Sequence, residues 1–145
     1  MTTITSDNSE LFFELSGSGN FVRLEPFAYE LPLSSHNWVK TKVIIKGGAF
    51  TGNYIAPIPS DDFKYLKKQI EPFYENLNGE LEFNDLKHAI NLKIKGDGIG
   101  HFSVDVTARD YPGPDFSELL FTIVFDQTEI KNLINQLDKI IKQFP

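Results

Sequence analysis

The apolar run Leu119 to Phe125 (LLFTIVF) meets Asp126-Gln127 and gives way to an amphipathic pattern that lasts to the end of the sequence. Ile130, Leu133, Ile134, Leu137, Ile140, Ile141 and Phe144 recur at three- and four-residue steps, placing one apolar stripe on a helix of about four turns. Such a stripe must cover something. Because the preceding sequence is mostly strand-patterned, an antiparallel sheet is its expected partner. Asp126 and Glu129 have capping-box spacing, so this helix is predicted over about 127–144 with a sharp start.

Upstream, Leu11 to Leu15, Phe21 to Glu25 and Phe27 to Leu31 read as short strands, the last two parted by Pro26, which argues for an edge or a bulge. Trp38 to Lys46 alternates, with Val39, Val43 and Ile45 on one face and Trp38, Lys40, Lys42 and Lys46 on the other. Gly47-Gly48 turns the chain into Ala49 to Ala56. Ser60 is the expected N-cap, with Asp61 and Asp62 in the first turn, of a helix striped by Phe63, Leu66, Ile70, Phe73 and Leu77. Pro72 should kink or split that helix, and Asn78-Gly79 should end it. Leu86, His88, Ile90, Leu92 and Ile94 then share a strand face, Gly96-Asp97-Gly98 turns, and Phe102, Val104, Val106 and Ala108 return. Turn residues Asp110 to Asp115 (DYPGPD) lead into the strand Ser117 to Phe125. The expected fold is α+β: a curved antiparallel sheet of roughly seven to eight strands and two helices, about 60–77 and 127–144, the C-terminal one packed on the sheet. Each half ends in a helix, yet no residue-level repeat accompanies this.

A sequence of 145 residues with 13 Phe, 5 Tyr and 1 Trp suits a single domain, 1–145, with ample aromatic area to bury. Twenty acidic residues against 14 basic ones give a net charge of -6, which disfavours nucleic acid or an anionic membrane and suits a basic protein partner. The charge is uneven. Residues 36–59 contain Lys40, Lys42 and Lys46 and no acid, whereas residues 60–90 carry Asp61, Asp62, Glu71, Glu75, Glu80, Glu82 and Asp85 against four lysines. That acidic middle is either the solvated face of a helix and turn or a docking surface for a cationic partner. Without Cys there are no disulfides, and with no secretory pattern at the start and no spanning apolar run the expected location is the cytoplasm.

The residues offer little chemistry. His88 reads as a hydrogen-bonded core histidine. His101, Ser103, Asp105 and Thr107 share one strand face about 7 Å apart, too parallel to converge on one substrate atom as a triad must. Gly96-Asp97-Gly98-Ile99-Gly100 joins two strands and opens no helix, so it is turn chemistry, not a phosphate loop. Asp110 and Asp115 lack the dense ligand spacing of a calcium loop, and no His or Cys pairs have zinc spacing, so neither a metal nor a cofactor is expected.

Four features stand in order along the sequence: Asn37-Trp38-Val39 opening one strand, Gly100-His101 opening another, Asp126-Gln127 starting the last helix, and a close on Leu137, Ile140, Ile141, Phe144 and Pro145. From Asn37 onward the sequence thereby resembles the WapI-type family of bacterial immunity proteins. The resemblance implies a small cytoplasmic, non-enzymatic inhibitor that binds the toxic C-terminal domain of a contact-dependent effector. The toxin contact is then expected at Asp61, Asp62, Glu71 and Glu75, with Glu80 and Glu82 in reserve, facing a basic toxin. Trp38, His101 and Asp126 also read as framework: an anchoring aromatic, a polar strand start and a helix cap. Two other readings stand beside this one. A sheet closed by a long helix can hold an apolar ligand, and a hydrolase could use His101 and Asp105 if another strand supplied a nucleophile.

Overall fold

The structure, a computed structural model, describes residues 11–145. Four strands, β1 (Phe13–Gly17), β2 (Asn20–Tyr29), β3 (Trp38–Gly47) and β4 (Phe50–Pro59), form an antiparallel meander in sequence order. Helix α1 (Ser60–Ile70) follows and tightens into a 3-10 turn, Glu71–Tyr74. A second four-stranded meander then runs through β5 (Asn78–Asn84), β6 (Ile90–Asp97), β7 (His101–Arg109) and β8 (Glu118–Asp126). A 3-10 turn, Gln127–Glu129, leads into α2 (Ile130–Gln143).

Both sheets and both helices feed one hydrophobic cluster. Val39, Val43 and Ile45 of β3 are buried, as alternation requires, and so are Phe102, Val104, Val106 and Ala108 of β7. Helix α2 buries Ile130, Leu133, Leu137 and Ile140, the stripe read from its sequence, and Phe144 follows them inward. Each such aliphatic side chain contributes about 1.5–3 kcal/mol by leaving water. Phe73, on the turn that ends α1, sits 5.0 Å from Phe102, which in turn stacks on Phe125 at 5.3 Å. Aromatic contact thus ties the first helix to the second sheet.

The α+β class, the eight antiparallel strands and the C-terminal helix on the sheet agree with the sequence reading, but the strands divide between two sheets of four. The two sheets meet closely at β8. A Cβ at Gly17 would lie 1.8 Å from the Val124 carbonyl oxygen, and one at Gly47 would lie 2.7 Å from the Phe121 ring, so the first sheet presses backbone-first onto β8. The two short strands expected around Pro26 are one strand, β2, and the proline sits at its register shift. Strand β5 falls where the sequence shows acidic residues after a helix. Its alternation is short, with only Leu81 and Phe83 turned inward.

Four local expectations are corrected. The strand expected to begin near Leu86 begins at Ile90; Leu86 is 51% exposed, and His88 is an exposed turn residue with φ +58°. His88 is therefore no core histidine, and the buried polar group nearby is Asp85. Ser60 is the first residue of α1 and makes no capping bond; Pro59 precedes it in extended conformation. The stripe 60–77 stops being α-helical at Ile70, and Pro72 lies in the 3-10 turn, as a residue without an N–H should. At the second helix, Asp126 does cap, but its carboxylate accepts the N–H of Thr128 at 2.9 Å instead of that of Glu129.

Candidate functional site

The six acidic residues singled out from the sequence lie on α1, on and just after the 3-10 turn that ends it, and on β5. Asp61 and Asp62 occupy the first turn of α1, where unpaired backbone N–H groups favour negative charge. Asp61 is exposed and sits 3.3 Å from Lys64. Asp62 is half-buried, and its Oδ2 accepts the Leu86 N–H at 3.1 Å, tying the start of α1 to the β5–β6 connection. Burial pushes the Asp62 carboxyl above its usual range, assisted by nearby Asp85 and Asp61 and opposed by that N–H.

Glu71 opens the 3-10 turn beyond the far end of α1, roughly 15 Å from Asp61 at the rise of a helix, and Glu75 follows that turn. Glu71 is 3.8 Å from Lys67, whose ammonium also reaches Asp138 of α2 at 2.6 Å. Glu75 is exposed and forms no ion pair among the described residues. On β5, Glu80 is 3.9 Å from Lys95, and Glu82 accepts Asn91 Nδ2 at 2.9 Å. Gln69 joins the two elements by donating to the Glu82 carbonyl at 3.2 Å. The result is an acidic strip along α1 and the edge of β5. Lysines interrupt it at Lys64, Lys67, Lys68, Lys93 and Lys95.

Asp85, counted from the sequence with the solvated acids, is fully buried. Its two oxygens accept the N–H groups of Ile90 (2.8 Å) and Lys87 (3.1 Å), so it closes the turn before β6. Burial raises its carboxyl above the usual range, against the pull of those backbone donors. Asp138 is the acidic residue missed from the sequence. It reads there as one charge on the polar face of α2, and only helix packing brings it to Lys67.

The motif positions gather at two junctions. Asn37, with φ +46°, precedes β3, and its carbonyl accepts the Ser60 N–H at 3.1 Å. Gly100, with φ +108°, precedes β7, and its carbonyl accepts the Gln127 N–H at 2.8 Å. In each sheet, therefore, the residue before the third strand holds the first residue after the fourth. Trp38 makes an edge contact with His36 at 5.4 Å, and the Lys87 ammonium lies 5.3 Å from the Trp38 ring centre. His101 pairs in register with Asp126 and bonds through Nδ1 to Asp97 Oδ2 at 2.9 Å. The N–H groups of Ile99 and His101, with the His101 ring, hold the Asp97 carboxyl below its usual range.

His101 thus bonds to Asp97, whereas Asp105 accepts the Thr122 hydroxyl at 3.1 Å; they share a strand face without converging. Among the described residues no three His, Cys, Asp or Glu side chains come together as a metal site. An open cleft of about 350 Å³ on the outer face of the second sheet is lined by Glu80, Glu82, Lys93, Lys95, Ser103 and Asp105, a lining that suits polar contacts. No helix among the described residues is long and apolar enough to cross a membrane.

These features define an α+β protein of two meanders with an exposed, charge-patterned surface. The family model of the WapI-like immunity proteins matches residues 12–145, nearly the whole chain, and the chain belongs to that family. Membership brings an immunity role and, in general, a toxin as partner. No curated protein sequence matches the chain. Among solved structures, the crystal structures of Trypanosoma brucei MRP1/MRP2 match over 99% of this chain and 94% of that one, with a TM-score of 0.51 and 12% identity. At that identity the likeness is one of fold. A structure of the plant transcriptional regulator PBF-2 matches over 92% of this chain and 81% of that one, with a TM-score of 0.48 and 14% identity.

Proposed function

We propose that this chain is a non-enzymatic immunity protein, acting in the cytoplasm, that binds and neutralises the C-terminal toxin domain of a cognate secreted or contact-dependent effector. The family match over residues 12–145 carries the reading, and the acidic strip supplies a surface of the right sign for a basic toxin domain. Asp61, Glu71 and Glu75 are its exposed members on α1 and the turn that ends it; Asp62 is engaged with Leu86, so its role there is to anchor the strip. The six carboxylates keep a small excess over the five neighbouring lysines Lys64, Lys67, Lys68, Lys93 and Lys95, and the exposed pairs among them, each worth little, exchange readily for a better partner. A framework already closed by buried strands and two helices binds without a large ordering cost.

The test is association kinetics with the toxin domain encoded beside this protein. The triple reversal Asp61→Lys, Glu71→Lys, Glu75→Lys should slow association at least about tenfold at low salt, with the difference shrinking as salt rises, and leave the melting temperature nearly unchanged. Unchanged association would remove the strip from the interface. Absence of any complex with the unaltered protein would remove the toxin reading itself.

A further inference from the structure

Two meanders have four outer edges, and three of them are covered. The β1 edge receives the Gln136 side chain of α2, which accepts the Glu14 N–H at 3.0 Å. On β5, Gln69 of α1 takes the Glu82 carbonyl. Asn20 donates to the Thr122 carbonyl of β8 at 2.9 Å, and Gly17 lies against the Val124 carbonyl. Among the described residues the fourth edge, β4, pairs only with β3.

The register fixes which of its groups point outward. Gly47 pairs with Phe50 across a two-residue turn, and beyond the strand end Ser60 N–H bonds to Asn37 O, so the even-numbered residues 50–60 take the ladder positions facing β3. Thr51, Asn53, Ile55, Pro57 and Pro59 therefore aim their backbone away from the sheet. The prolines sit where no donor is needed, and they blunt the second half of the edge. Thr51 to Ile55 keeps its outward N–H and C=O groups, and its odd-numbered side chains are exposed.

Two features select the chemistry of an occupant. On the outer face, Lys46 stands in register with Thr51, Lys42 with Ile55 and Lys40 with Pro57; Lys40 and Lys42 form no ion pair among the described residues, and Lys46 donates to the Gly19 carbonyl at 3.0 Å, a bond that a carboxylate would compete for. On the inner side, a cleft of about 230 Å³ opens beside β4, with Ile45, Tyr54, Ala108 and Leu119 in its wall. Asp110 and Glu118, also in that wall, are already engaged with Ser117 N–H and Arg109.

We infer that the open edge Thr51–Ile55 accepts an extended protein segment as a fifth strand of the first sheet, one that alternates acidic and apolar side chains. Its carboxylates lie on the outer face about 10 Å from β3, two strand spacings, a gap that an extended lysine and a glutamate bridge. Its apolar residues turn into the cleft, and its backbone completes the ladder. The inference is independent of the acidic strip, which lies on other elements.

The test uses the full chain and two blocked heptapeptides, one alternating glutamate with valine and the other alternating lysine with valine. In the free protein the amides of Thr51, Asn53 and Ile55 should exchange with solvent much faster than those of Gly52, Tyr54 and Ala56. The glutamate peptide should shift and protect the three outward amides and bind at least about tenfold tighter than the lysine peptide. Asn53→Pro should abolish this binding, and the double reversal Lys42→Glu, Lys46→Glu, which leaves the backbone alone, should invert the preference. Equal binding of both peptides, or no perturbation of residues 51–55, would overturn the inference. So would protection of these amides that grows with protein concentration alone, which would make a second copy the occupant.

Discussion

In the first half of the molecule the chain leaves its fourth strand through Pro59 and enters α1 with no side-chain cap, whereas in the second Asp126 leaves β8 and caps the turn that opens α2. Around that difference the halves share a device: a left-handed residue, Asn37 or Gly100, offers its carbonyl to the first N–H beyond the fourth strand. The lesson is that a repeated plan can rest on backbone bonds with no repeated residues. Asparagine and glycine tolerate a positive φ for different reasons, one by local hydrogen bonding and the other by lacking a Cβ. The halves also differ in closure. The second sheet has β8 pressed against the first sheet and β5 against α1, whereas the first leaves β4 open among the described residues.

The largest effect tests whether the halves are one cooperative unit. Leu66 of α1 and Leu137 of α2 are both fully buried in the same cluster, so Leu66→Ala and Leu137→Ala should each cost about 2–5 kcal/mol in urea unfolding. One transition with an unchanged denaturant slope would support a shared core; two transitions in either variant would split the comparison into separate folding units. A middle-sized effect probes the contact between the sheets. Gly17→Ala and Gly47→Ala should each cost about 1–3 kcal/mol, because a methyl would meet the Val124 carbonyl or the Phe121 ring. Neutral substitution at both sites would show that the sheets can move apart freely.

The smallest effect concerns the two helix starts. Ser60→Ala should change stability by less than about 0.5 kcal/mol, since no capping bond is lost, whereas Asp126→Ala should give a clear loss. The Thr128 hydroxyl and N–H hold the Asp126 carboxyl below its usual range. Its contribution is therefore present above the unfolded value of 3.8 and lost as pH falls through the lower folded value. The gap in urea midpoint between the wild type and Asp126→Ala should narrow between pH 7 and pH 3. Asp85 has the opposite sign. Its carboxyl is raised, so the cost of burying its charge is relieved as pH falls through the folded value.

Much of this architecture was legible because it is written in periodicity. The α2 stripe, the alternation of β3 and β7, the split at Pro72 and the bulge at Pro26 all follow from local rules about faces and missing donors. Strand β5 was not, since two inward residues among carboxylates look like a solvated turn until β6 pairs with them. Of the candidate strip, its residues and sign could be read directly. Which of them is spent internally could not: Asp62 serves Leu86, Glu71 shares Lys67 with Asp138, and Asp85 is buried.

The sequence by itself determined the α+β class, the antiparallel strands, the amphipathic end and the acidic balance, because side-chain period and net charge are properties of neighbours along a chain. Only the tertiary structure decided that, among the described residues, eight strands make two sheets, Asn37 and Gly100 hold matching junctions, and β4 is the edge left open. Those outcomes depend on which distant backbone groups meet. A hydrogen bond between Asn37 and Ser60, or a glycine against Val124, has no local signature in the residues that form it.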